Sequence, residues 1–131
     1  MAVLYLTGVL QDGSPATDPA VPHNPRAELE IIQGTTNQIV CRVVNPSGAP
    51  VPPVGTLTLT VKQKPGDEPA LASLAGTWTP MLGPGTAVLT WAANAMRYIP
   101  WGRYVYDVRL VNGTDIDMVI PASPFRLSPA V

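Results

Sequence analysis

The chain has 131 residues and a net charge of −1, from eight basic and nine acidic side chains. Only 13% of residues are charged and 46% are apolar, which excludes a disordered chain, since disorder needs low hydrophobicity and high charge. The charges form no basic stripe, which argues against nucleic acid as a partner, and the single cysteine, Cys41, excludes an intramolecular disulfide.

A domain of this size buries roughly two thirds of its unfolded surface. One core is therefore expected to hold without metals or disulfides. Average soluble proteins carry about 25% charged residues, so this surface is short of charge. Such a surface is expected to be covered by neighbours, in an assembled protein rather than a free monomer.

The chain begins with "MAVLYLTGVL". It lacks a basic n-region and a small-residue cleavage site, and it is too short to span a bilayer. The expectation is synthesis in the cytoplasm with no membrane partner. Residues 3 to 10 read as a strand or extended arm. Val3, Leu4, Tyr5, Leu6, Val9 and Leu10 are its candidate subunit-contact residues. The segment "QDGSPATDPAVPHNPRA" follows. Proline lacks the donor a sheet ladder needs, so the segment reads as an extended connector. The predicted division is residues 1–26 for arm and connector, and 27–131 for the body. The arm either packs on its own domain or reaches a neighbouring subunit.

In the body, Leu29 and Ile31 alternate with Glu28 and Glu30, the period of a half-buried strand. Gly34 marks a turn. Ile39, Cys41 and Val43 then alternate with Val40, Arg42 and Val44 in a second strand. "NPSGAPVPPVG" reads as a loop. In "TLTLTVKQK", Leu57, Leu59 and Val61 face one way and the threonines the other. "PGDEP" is a second polar loop. Trp78 falls on a short strand, "GPG" breaks the chain, and "TAVLTW" resumes as a strand. "AANAMRYI" is the one predicted helix, about two turns long and stopped by Pro100.

The stretch "WGRYVYDVRLVNGTDIDMVI" predicts a hairpin with a type I′ turn at Asn112-Gly113. Tyr104, Tyr106, Val108 and Leu110 form its core face. "PFRLSPA" predicts a last short strand. About eight or nine short strands near ten residues apart point to an all-β, immunoglobulin-like antiparallel sandwich.

Chemistry has few places to reside. His23 is the single histidine and lies in the connector, so a metal centre lacks convergent ligands. Cys41 reads as a small buried hydrophobe. Asp115 and Asp117 fall on one side of a strand, about 6 to 7 Å apart. That spacing resembles a glycosidase or calcium pair, yet cross-strand pairing with Arg109 is the simpler reading. No phosphate loop, dinucleotide fingerprint or nucleophile elbow is present. The expectation is no catalytic residue, no cofactor and no metal. Trp78, Trp91 and Trp101 read as core or subunit-interface aromatics, with glycan stacking as the alternative.

The order of features resembles a known family. "IIQGTTNQIVCRVVNPSGAPV", "GTLTLTVKQK", "GTAVLTW" and "WGRYVYDVRLVNGTDIDMVIP" follow one another. This layout is similar to the N-terminal immunoglobulin-like domain of bacteriophage baseplate upper proteins and related tail, fibre and head-decoration proteins. The similarity spans about residues 27 to 128, on Gly34-Thr35, the Leu57/Leu59/Val61 strand with Lys62, and Gly102-x-Tyr104-x-Tyr106 before Asn112-Gly113. It implies a non-enzymatic virion structural protein: head decoration or cement, a tail or baseplate adaptor, or a fibre-base component. Its partners would be other virion proteins, and its oligomeric state a homo-oligomer, by analogy a trimer. The alternative is a carbohydrate- or host-receptor-binding module of the particle.

Overall fold

The computed structural model describes residues 2–10, 28–64 and 70–129. The proline-rich connector with His23, and the loop at 65–69, lie outside the described residues. Among the described residues, nine strands form two packed sheets. The first has the order β1 (Ala2–Val9), β3 (Asn37–Val44), β7 (Thr86–Trp91), β6 (Thr77–Trp78). The second has the order β2 (Leu29–Ile32), β9 (Asp115–Ser128), β8 (Gly102–Asn112), β4 (Thr56–Lys62), β5 (Ala72–Ala75).

Period-two alternation explains the core. Ile39, Cys41 and Val43 of β3, Ala87, Leu89 and Trp91 of β7, and Leu57, Leu59 and Val61 of β4 are all fully buried. Tyr104, Tyr106, Val108 and Leu110 of β8 are buried with them. Trp91 lies against Phe125 with ring centroids 5.5 Å apart, and Tyr106 meets Phe125 edge-on at 6.4 Å. Such tilted and edge-to-face pairs are favourable aromatic geometries.

Of the two destinations open to the N-terminal strand, the structure realises the first. β1 pairs with β3 in parallel, from Ala2 opposite Asn37 to Val9 opposite Val44. Leu6 joins the main core, and Val9 packs with Val44. β2 runs parallel to the last strand, with Leu29 opposite Phe125. The sandwich is thus antiparallel in its body and closed by two parallel pairings.

The predicted helix at 92–99 does not form. Single tight turns run through it, with Ala95, Arg97 and Ile99 N–H donating to the carbonyls three residues back. Met96 has φ 54°, a left-handed conformation that interrupts an α-helix. The only helical turn among the described residues is a 3₁₀ turn at Pro80–Leu82. The hairpin loop also differs: Asn112 pairs with Asp115, leaving Gly113-Thr114 as the two loop residues. Only Gly113 has positive φ there. A type I′ turn needs two such residues, whereas a II′ turn needs Gly first.

The hairpin's second strand and the predicted last short strand are one 14-residue strand, β9, despite Pro121 and Pro124. Register shifts at Asp107 and Val108 put Pro121 in a bulge. Pro124 precedes the β2 ladder, which starts at Phe125. Neither proline therefore breaks a two-sided ladder. The same bulge buries Val119 and Ile120 consecutively.

Candidate functional site

The arm residues divide by the strand's own alternation. Leu6 is buried, and Leu4 packs half-buried against the core. Val9 is buried, while Leu10 is half-buried and donates its N–H to the Val44 carbonyl at 2.8 Å. Val3 and Tyr5 point away, and Tyr5 is 77% exposed. Beside them on the outer face lie Gln38, Val40 and Arg42 of β3. Leu82 and Thr86 complete a groove of about 590 Å³ with Val3, Tyr5, Thr7 and Val40. This face carries a single charge, Arg42, among the outward residues of β1, β3 and β7.

The three tryptophans have three different fates. Trp91 is fully buried, so it presents no stacking surface, and among the described residues its Nε1 has no hydrogen-bond partner. Trp78 is half-buried and donates its Nε1 to the Gly55 carbonyl at 2.9 Å. It edges a pocket of about 360 Å³ walled by Pro50, Pro52, Pro53, Pro80 and Pro84. Trp101 is 64% exposed. Its Nε1 donates to Oε1 of Gln33 at 2.8 Å.

Gln33, which no sequence motif marks, organises the 92–101 segment. Its Nε2 donates to the carbonyls of Met96, Arg97 and Ile99 at 3.1, 3.2 and 3.1 Å. The Tyr104 hydroxyl donates to the Pro100 carbonyl. A tyrosine at the start of this strand, bonded to backbone just upstream, is the tyrosine corner of immunoglobulin-type sandwiches. Next to Trp101, a shallow pocket of about 270 Å³ is lined by Arg103, Arg126, Leu127 and Ser128.

Among the described residues, the reactive groups do not converge. Burial pushes the Cys41 thiol up to about 12, so it stays protonated and unreactive at neutral pH. Asp115 is exposed and Asp117 half-buried. The expected cross-strand pairing is replaced by one along the strand: Arg109 Nε lies 3.5 Å from Asp107 Oδ1. Among the described residues, no group of three His, Cys, Asp or Glu comes together to hold a metal.

The strand orders β1-β3-β7-β6 and β2-β9-β8-β4-β5 define an immunoglobulin-like sandwich. No family model and no curated protein sequence matches the chain. Among solved structures, it is similar to the N-terminal domain of phage TP901-1 ORF48. The TM-score is 0.50 at 14% identity, over 98% of this chain and 99% of that one. It also matches the copper protein rusticyanin, with a TM-score of 0.39 at 15% identity, over 96% of this chain and 78% of that one.

Proposed function

We propose that this protein is a non-enzymatic structural component of a bacteriophage particle, bound to neighbouring virion proteins through the outer face of its first sheet. The observation that carries the reading is the exposed apolar surface around Tyr5. Val3, Tyr5 and Leu82 are exposed there beside half-buried Val40, with Arg42 as the one charge on that face among the described residues. Exposed apolar patches on soluble domains mark contact sites. Among the described residues, no strand pairs with the far edge of β1, which leaves a row of backbone groups for a partner strand. The likeness to a phage domain across nearly the whole chain supports a virion role. Head decoration, tail or baseplate adaptor, and fibre base are the finer roles it fits. The protein would be made in the host cytoplasm, and a homo-oligomer is the expected state.

The double variant Tyr5→Arg, Val40→Glu tests the reading. Both side chains point outward, so the thermal unfolding curve is expected to stay unchanged while incorporation into particles is lost. A folded variant that still assembles normally would overturn it.

A further inference from the structure

Arg103 of β8 and Arg126 of β9 lie directly opposite each other in the ladder. Side chains in such a pair have Cβ atoms about 4.5 to 5.5 Å apart, and like charges there are destabilising. Only one of the two is compensated: Arg126 lies 3.7 Å from Glu30 of the neighbouring β2. Arg103 is exposed and, among the described residues, has no acidic partner.

Both arginines line the 270 Å³ pocket together with Trp101. That volume is just below the range of drug-sized sites and suits one small ring. The indole is held by Gln33, which is itself bonded to three backbone carbonyls. A ring fixed before binding loses little entropy when a ligand stacks on it. Its exposed face is apolar, and its one donor is already engaged. The neighbouring guanidinium forks match a carboxylate or a phosphate.

We propose that this pocket binds one negatively charged sugar residue of a glycan, with Trp101 stacking on the ring and Arg103 and Arg126 holding its anionic group. The assignment stands apart from the assembly role, because the pocket lies on the second sheet and Tyr5 on the first.

The test is a titration of the intact chain followed by the tryptophan indole N–H resonances in NMR, with Trp101 assigned through Trp101→Phe. The probes are a glucuronic acid oligosaccharide, a hexose phosphate, a neutral glucose oligosaccharide and inorganic phosphate. The two acidic sugars distinguish a carboxylate from a phosphate source, and a saturable shift of the Trp101 signal with either supports the site. Arg103→Ala is expected to weaken that binding by about tenfold or more, as loss of a charge-assisted hydrogen bond does. The neutral oligosaccharide is expected to bind weaker by a similar factor. Absence of a Trp101 shift with both acidic sugars would overturn the proposal. So would unchanged affinity in a folded Arg103→Ala variant, or inorganic phosphate binding as tightly as the sugars.

Discussion

Gly8 of β1 lies so close to Val119 of β9 that a Cβ on Gly8 would stand 2.1 Å from Val119 Cγ1 and 3.1 Å from the Val119 carbonyl oxygen. The bulge in β9 turns Val119 inward beside Ile120, and β1 closes over both. A valine is stiff at χ1 and cannot swing aside. Gly8→Ala is therefore expected to destabilise the fold by about 1–3 kcal/mol, as overpacking does. Adding Val119→Ala should recover part of that loss, since contacting sites are not additive. Urea midpoints of the two single variants and the double variant check this. A Gly8→Ala protein as stable as the parent would show that β1 does not pack here.

The same contact bears on how assembly is tested. Removing residues 1–10 would take Leu6 and Val9 out of the interior. A truncation would confuse lost stability with lost contact. The outward substitutions at Tyr5 and Val40 avoid that.

Gln33 is the second joint. Gln33→Ala leaves the Arg97 and Ile99 carbonyls without the Gln33 donor and the Met96 carbonyl with only the Ile99 N–H, and those groups are partly reached by water. A cost of about 1–2 kcal/mol is expected. Amides from 92 to 101 should exchange faster, while β7 and β8 keep their protection. Gln33→Glu discriminates further. An ionised carboxylate only accepts hydrogen bonds, so it keeps the Trp101 bond and loses the other three. It should destabilise the segment at least as much as alanine. Slow exchange in both variants would show that the segment holds itself.

Strand periodicity was the legible part of this molecule. Leu57, Leu59 and Val61 could be placed inward because their alternation depends only on local geometry. The same holds for Tyr104 through Leu110. What could not be read was anything decided by a distant partner. The 92–99 segment has helix-forming composition, yet its carbonyls are taken by Gln33, over sixty residues away. The prolines of β9 look like strand breaks, and only the position of β2 shows why they are tolerated. The destination of β1 depends on which sheet edge is open. The three tryptophans are alike in sequence and differ only through burial. The Arg103–Arg126 pair depends on the shifts between Tyr106 and Arg109, which move the register by two residues from the one the Gly113-Thr114 loop sets.

Cys41 makes stability depend on alkaline pH. Its thiol is raised from an ordinary value of 9.0 to about 12 by burial. Tyr106 is raised too, first by burial and then by the charge Cys41 would carry. Both groups are neutral when protonated, and the native state favours that form. Above about pH 9 the unfolded chain releases a thiol proton that the native chain keeps. The thiol's contribution is then flat below that pH and lowers stability as the pH rises towards 12. Urea midpoints at about pH 8 and about pH 10.5 should show the fall. Cys41→Ala should flatten part of it. An equal slope in the variant would contradict the assignment. A thiol reagent should label native Cys41 slowly and the unfolded chain at once.

Asp115 and Asp117 are expected to be bystanders. One is exposed and the other half-buried, and neither belongs to a metal-capable group among the described residues. Replacing both with asparagine should change stability by no more than about 0.5 kcal/mol. Calcium should leave the melting temperature of both proteins unchanged, because a ligand that binds only the folded state raises it. A calcium-dependent rise in the parent that disappears in the double variant would restore the metal reading.

Trp91 separates volume from polarity in the core. It is fully buried and packs on Phe125, but its Nε1 has no hydrogen-bond partner among the described residues. An orphaned buried donor carries a desolvation penalty of about 1–3 kcal/mol. Trp91→Phe removes that donor along with part of the ring. The two effects oppose each other, so the net cost should stay under about 1.5 kcal/mol, within the range of well-tolerated core swaps. Trp91→Ala leaves a cavity and should cost about 3–5 kcal/mol. Trp101→Ala, at an exposed position, should cost less than either cavity-forming change while removing the stacking surface. Denaturant unfolding of the three variants gives the order directly. If Trp91→Phe proved as damaging as Trp91→Ala, the indole N–H would have to be satisfied in solution by a group that this arrangement does not show.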